Sequence, residues 1–156
     1  SYVSFVRGEA PEPIDQIKLN EFIEDICKSI KIKDQKLTTN INIFIETSGR
    51  PLQLKRSIMN IIENSLRYAK EIRVDVSNND ENCFIEISDD GEGIPEKNYE
   101  DVFKPFFTLD PSRNKLKGES GLGMTIARDI VRSHGGDIKL SKSDLGGLKT
   151  TINLPL

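Results

Sequence analysis

Apolar positions along this chain recur with two different periods, and the changes between them mark out the elements. Leu19, Phe22, Ile23, Ile26 and Ile30 repeat at helical spacing, which predicts a helix with Asn20 as its N-cap. Its early residues Glu21, Glu24 and Asp25 are acidic and its late residues Lys28, Lys31 and Lys33 basic, the order a helix dipole favours. Ile41, Ile43 and Ile45 then alternate with Asn42 and Phe44, the period of a short strand. Pro51 opens a second helix running to about residue 69, with Leu54, Ile58, Ile61, Ile62 and Leu66 on one stripe. Two strands follow, one through Ile72, Val74 and Val76 and one through Cys83, Ile85 and Ile87, joined by a turn at 78–82. Residues 90–120 show no period and read mostly as loop. A third helix is predicted over 123–134, stopped by Gly135 and Gly136. Ile138 and Leu140, then Leu148, Thr150, Ile152 and Leu154, predict a closing hairpin around Gly146 and Gly147. This order predicts an α+β fold: a two-layer sandwich of a mixed, mostly antiparallel sheet with about three helices on one face.

Composition narrows the class. The 156 residues suit one domain, and 22 basic against 25 acidic residues leave a net charge of −3. No broad basic surface for nucleic acid or anionic lipid follows from that balance. No apolar run reaches the ~18–20 residues of a membrane-spanning helix. Two cysteines and one histidine cannot by themselves complete a four-ligand zinc site. At the start of the chain, residues 2–7 read as the end of an apolar helix. Residues 8–13, with Pro11 and Pro13, read as a linker. The division expected is therefore 1–13 as the tail of a preceding helical domain and 14–156 as the folded domain.

Three stretches carry candidate chemistry. On the second helix, Asn60, Asn64, Arg67 and Tyr68 form a polar stripe roughly 120° from the apolar one. Two amides, a guanidinium and a phenol on one line make either a wall for a charged ligand or a solvated face. Asp89-Asp90-Gly91-Glu92-Gly93-Ile94-Pro95 follows directly on a strand. A carboxylate there can accept from an exocyclic amine, and the glycines let backbone approach a flat ring; an ordinary acidic turn has the same composition. Gly118-Glu119-Ser120-Gly121-Leu122-Gly123 leads into the third helix, whose N-terminal N–H groups favour an anion. It is not a P-loop, because Met124 stands where the lysine is required. His134, at the end of that helix, reads as a cap whose imidazolium would suit the dipole rather than as a catalyst.

Taken in order, these stretches resemble the four boxes of sensor histidine kinases. Asn60-x-x-x-Asn64-x-x-Arg67-Tyr68 is similar to the N box and Asp89-x-Gly91-x-Gly93 to the first glycine box. Phe103-Lys104-Pro105-Phe106-Phe107 resembles the F box, and Ser120-Gly121-Leu122-Gly123-Met124 the second glycine box. The resemblance covers roughly 14–156. The stretches 108–114 and 126–130 are similar to the EnvZ-like osmosensor branch.

The resemblance implies a Bergerat-type (GHKL) fold that binds ATP and Mg²⁺ and transfers the γ-phosphate to a histidine on an upstream dimerisation domain. Asn64 would ligand the metal and, with Arg67, serve the transfer; Asn60 would lie near the triphosphate and Tyr68 against the adenine. Asp89 would accept from the adenine amino group, with Gly91, Gly93 and Ile94 shaping the base pocket. Thr108 and Leu109 would also contact nucleotide, Ser120, Gly121, Leu122, Gly123 and Met124 would line the phosphates, and about 96–119 would be the ATP lid. It further implies a response regulator as indirect partner, no nucleic acid, a cytoplasmic domain of an inner-membrane sensor, and a fragment that is a monomer on its own.

Three positions depart from the family pattern. Glu119 stands where many members have glycine, Thr108 where many carry an arginine after the F box, and Leu148 at a position that is often threonine. Two other functions fit the same superfamily. A hydrolytic ATPase of the gyrase, mismatch-repair or heat-shock type needs a glutamate at the first N-box position, where this chain has Asn60. Glu63 lies about 100° round the helix from Asn64. The third alternative is a non-catalytic nucleotide-sensing module.

Overall fold

The computed structural model describes residues 12–109 and 121–156. The helix tail and most of the linker read at the start of the chain lie outside them, as do Ser120 and the rest of 110–120.

β1 (Asp15–Lys18) leads without a break into α1 (Leu19–Ser29). β2 (Lys36–Ile41) and β3 (Glu46–Gly49) precede α2 (Pro51–Tyr68), which is followed by the hairpin β4 (Glu71–Asn78) and β5 (Asn82–Asp89). After two 3₁₀ turns, Glu96–Asn98 and Asp101–Phe103, come α3 (Gly123–Ser133) and the hairpin β6 (Asp137–Lys142) and β7 (Leu148–Pro155). The main sheet has the order β2-β4-β5-β7-β6; β2 runs parallel to β4 and every other pairing is antiparallel. β1 and β3 form a separate two-stranded sheet.

Period-2 patterning decides which face of the main sheet is covered. Ile72, Val74 and Val76 of β4, Cys83, Ile85 and Ile87 of β5, and Ile152 and Leu154 of β7 are buried in one core. Leu19, Ile23 and Ile26 of α1, Leu54, Ile58, Ile61 and Ile62 of α2, and Ala127, Ile130 and Val131 of α3 pack into the same core. The opposite face is polar: Arg73 is within 2.8 Å of both Asp75 and Asp144, and Lys149 lies 3.5 Å from Glu86. This is the two-layer sandwich that the alternation predicts.

Two expectations need correction. α1 begins at Leu19 rather than after Asn20, and Lys18 at its N-cap makes no side-chain cap bond. The entry is set by tertiary contacts instead. Leu19 is fully buried, and its N–H donates to the Ile45 carbonyl at 2.8 Å. The strand read over 41–45 is not one, because β2 ends at Ile41 and β3 starts at Glu46. Burial still alternates there, with Ile45 inside and Phe44 94% exposed, but no neighbouring strand supplies a ladder. The described part of 90–120, read mostly as loop, holds two 3₁₀ turns and buries Phe103.

Candidate nucleotide site

A cleft of about 190 Å³ opens where the C-terminal half of α2 meets the end of β5, the start of α3 and the start of β7. Asn64 and Tyr68 reach it from α2, and Asp89, Gly91, Gly93 and Ile94 from the end of β5 and the following turn. Thr108 and Leu109 close one side, and Gly121, Gly123 and Met124 another. The structure thus brings eleven of the fifteen sequence-derived candidates to one cavity. Its walls mix apolar side chains with polar ones, a make-up that can both bury and orient a small molecule.

Asp89 is the most firmly built of these polar groups. It ends β5 and is only 5% exposed. Its Oδ1 accepts from the Gly91 N–H and the Leu148 N–H, both at 3.0 Å, and its main-chain carbonyl accepts from the Gly147 N–H at 3.0 Å. Both amide bonds go to one oxygen. Among the described residues Oδ2 accepts none, which leaves it as the carboxylate's acceptor toward the cleft. Gly147 lies so close that a Cβ there would collide with Asp89 Oδ1 and stand 2.6 Å from the Gly91 nitrogen.

Asp90, next in sequence, does different work. Its Oδ1 accepts from the Lys70 N–H at 2.8 Å and the Glu71 N–H at 2.9 Å, and its own N–H donates to the Glu71 carbonyl at 3.1 Å. The Glu71 and Lys70 N–H bonds hold its carboxyl below the usual aspartate range. Asp90 therefore ties the chain just after α2 to the turn after β5. That fixes Tyr68 relative to Asp89.

The polar stripe on α2 divides. Asn64 is half-buried in the cleft, and its side chain makes no hydrogen bond among the described residues. Asn60 bonds to the fold through one donor: its Nδ2 donates to the Gly123 carbonyl at 3.3 Å, and it does not line the cleft. One turn earlier the buried Ser57 hydroxyl donates to the Ala127 carbonyl at 3.0 Å, so small polar contacts join α2 to α3. Arg67 lies at a separate shallow hollow with Lys33, Gln35 and Lys70, which Tyr68 shares with the main cleft. Leu122 sits at the N-cap of α3, also outside the cleft lining. Glu63 is exposed.

The start of α3 is seated by an unusual pair. Gly121 has φ +76°, a conformation that suits glycine. Its carbonyl accepts from the Phe106 N–H at 2.7 Å, and a Cβ on it would stand 2.8 Å from the Phe106 Cα. Phe106 itself has φ +63°, the only positive value at a non-glycine among the described residues.

His134 caps α3, but not as a dipole-facing cation. Its Nδ1 lies 2.8 Å from the Ile130 carbonyl, and its Nε2 accepts from the Arg50 N–H at 3.0 Å. An Nδ1–H tautomer satisfies both bonds. The ring bridges the end of α3 to the start of α2.

The family of histidine kinase-, DNA gyrase B-, and HSP90-like ATPases matches residues 49–156, the stretch that carries every described wall of the cleft. The chain belongs to that family. It is 32% identical over 145 residues to the sensor histidine kinase GtrS of Pseudomonas aeruginosa, covering 92% of this chain and 29% of that protein. It is 28% identical over 148 residues to the sensor histidine kinase CpxA of Escherichia coli, covering 91% of this chain and 32% of that protein. The chain thus spans about a third of the length of these relatives. The fold is that of the mycobacterial sensor histidine kinase MprB, with a TM-score of 0.79 at 22% identity over 92% of this chain and 97% of that one.

Within this ATPase fold, Ser65, Glu92, Val102 and Phe107 also line the cleft, and Leu148 does so beside Asp89. Ser65 and Glu92 are adjacent to motif residues, and Phe107 ends the F box. That adjacency is the only sequence signal they carry. Among the described residues no group of three histidine, cysteine or acidic side chains is placed to hold a metal ion, and no helix is long and apolar enough to cross a membrane.

Proposed function

We propose that residues 14–156 form the ATP- and Mg²⁺-binding catalytic domain of a sensor histidine kinase, which transfers the γ-phosphate of ATP to a histidine on a preceding helical dimerisation domain. The observation that carries this reading is Asp89. It is a nearly buried carboxylate with one oxygen taken by two backbone N–H groups and the other available as a fixed acceptor. Such a group suits the amino group of adenine and opposes the carbonyl of guanine. Tyr68 offers a ring face beside it and Asn64 an uncommitted amide further along α2. Mg²⁺ keeps much of its shell as water and phosphate oxygen, so one neutral amide is an adequate protein contribution. The metal would neutralise phosphate charge there, with Asn64 as its protein ligand. Arg67, at the neighbouring hollow that shares Tyr68 with the cleft, adds positive charge at the same end of α2. Phosphoryl transfer needs mainly positioning and charge neutralisation from a protein, and this donor set supplies both.

The hydrolytic alternative is disfavoured. Its general base would stand at Asn60, an amide engaged with the Gly123 carbonyl. His134, the only histidine, is also a poor phosphoacceptor, since both ring nitrogens are occupied by backbone groups. The acceptor, a response regulator downstream of it and a cytoplasmic position beneath an inner-membrane sensor belong to this reading. The relatives named as sensor histidine kinases support it.

The test is calorimetric titration of the chain with ATP and GTP in the presence of Mg²⁺. A preference for ATP of roughly tenfold to hundredfold is expected, from about 1–3 kcal/mol for a mismatched buried polar pair. Asp89→Asn should blunt it, because an amide donates as well as accepts. Equal binding of the two nucleotides by the wild type overturns the placement of adenine at Asp89.

A further inference from the structure

One wall of the cleft depends on a side chain that does not reach the cleft. Val102, which lines it, belongs to the 3₁₀ turn Asp101–Phe103, too short to hold its own shape. Arg128 of α3 grips this turn from behind. Its Nη1 donates to Glu100 Oε2 at 2.7 Å and its Nη2 to Glu100 Oε1 at 3.4 Å, while its Nε donates to Asp137 Oδ1 at 3.1 Å. The guanidinium also lies over the Phe103 ring, 4.2 Å from its centroid. The side chain is 12% exposed, so it is shielded on most sides. One residue thus holds the positions on both sides of Val102 against α3 and β6. A second tie from the same helix is the Thr125 hydroxyl, which donates to the Phe103 carbonyl at 2.7 Å.

We infer that Arg128 is a positioning residue for the nucleotide cleft. Met124, one helical turn before it on α3, lines the cleft as Val102 does. Arg128 therefore sets the relation between two walls that a bound base must fit. The planar guanidinium is needed for this. A lysine ammonium keeps the charge but cannot form the fork to Glu100, reach Asp137 and lie over Phe103 together. Glu100 is held below its ordinary carboxyl range chiefly by that fork, and the Arg128 guanidinium is raised in turn.

The inference rests on the reading that the cleft takes ATP, and the test separates the two. ATP affinity is measured for wild type, Arg128→Met and Arg128→Lys at a temperature where all are folded, and amide hydrogen exchange is followed without nucleotide. Arg128→Met is expected to weaken ATP binding about tenfold and to speed exchange at 100–104, with β4 and β5 unchanged. Arg128→Lys should recover only part of the affinity. If Arg128→Met does not fold, Glu100→Gln, at a surface position, removes one arm and should weaken binding about threefold. Wild-type affinity in the variants overturns the inference. So does exchange that rises equally through the sheet, which marks a merely structural role. A wild type that binds no ATP overturns the proposed function instead, and exchange at 100–104 then decides the role of Arg128.

Discussion

Gly147→Ala should disable the Asp89 carboxylate, proposed to read the base, without altering any residue that points into the cleft. The added Cβ would collide with Asp89 Oδ1 and stand 2.6 Å from the Gly91 nitrogen and 2.8 Å from the Asp89 carbonyl oxygen. Two of these three are backbone atoms and the third belongs to a carboxylate held by two amides, so no flexible side chain can move aside. Ordinary contact begins at 3.4 Å, which requires a shift of about 0.8 Å at Gly91. The bonds around Asp89 start at 3.0 Å, and a shift of that size along them takes them beyond hydrogen-bond range. Losing bonds to a charged, nearly buried group costs about 1.5–3 kcal/mol each. Stability should therefore fall by about 2–4 kcal/mol, and ATP affinity by roughly tenfold to hundredfold as the Oδ2 acceptor loses its aim. Urea unfolding and calorimetric ATP titration on the folded variant measure the two effects. Gly146→Ala is the control. Its φ of +105° makes any side chain strained, but nothing lies within 4 Å of the new Cβ. It should cost about 1–2 kcal/mol in stability and leave ATP affinity unchanged. Wild-type stability and affinity in Gly147→Ala refute the reasoning, and so does an equal loss of affinity in the control.

Asp90→Ala should destabilise the domain by about 1 kcal/mol in urea unfolding, since water replaces part of what its two N–H partners lose, whereas Asp90→Asn, which keeps an accepting oxygen, should be nearly neutral. Glu12→Ala should cost about 1 kcal/mol in the same assay, because its carboxylate accepts from the Leu52 N–H at 2.7 Å and the Gln53 N–H at 3.1 Å where Arg50 provides no side-chain cap. Stability should fall in acid as Asp137 is protonated. Burial alone raises its carboxyl, but the Arg132 guanidinium, the Ile138 N–H and the Arg128 guanidinium bring it to about 2 from 3.8. A depressed acid contributes fully above its unfolded value and loses that contribution as pH drops from about 4 toward 2, so the acid limb of a thermal-unfolding profile should be shallower in Asp137→Asn.

The elements legible in the sequence are those whose pattern and packing agree over many residues. α2 keeps its apolar stripe through five turns, and β4 and β5 each alternate over their first six residues, so the core face of each was readable from spacing. β1 and β3 have four residues each, Asp-Gln-Ile-Lys and Glu-Thr-Ser-Gly. One buried isoleucine in the first and none in the second give no period to detect, and their pairing exists only because the tertiary fold brings them together. The opposite error arose at 41–45, where alternation was real but reported burial rather than a ladder. Asn20 failed as a cap for a related reason: local capping chemistry yielded to the burial of Leu19 and its bond to Ile45.

The site divides along the same line, between side chains and backbone. Asn64, Tyr68 and Asp89 are conspicuous because their residue types are chemically specific and their spacing is regular. What aims Asp89 is invisible in sequence, since the Gly91 and Leu148 N–H groups would be present for almost any residue at those positions. Leu148 illustrates the point. A leucine where the family resemblance leads one to expect threonine reads as a lost polar contact, yet its main-chain N–H holds the carboxylate in place. Asn60 is the converse case, a residue type suited to ligand binding whose Nδ2 is engaged by the Gly123 carbonyl, while its Oδ1 accepts no hydrogen bond among the described residues. Side-chain chemistry can be read from residue identity, but the backbone groups that orient it depend on where β7 meets β5, fifty-nine residues along the chain. The cleft is therefore most sensitive at positions such as Gly147, where a residue with no side chain leaves room for that meeting.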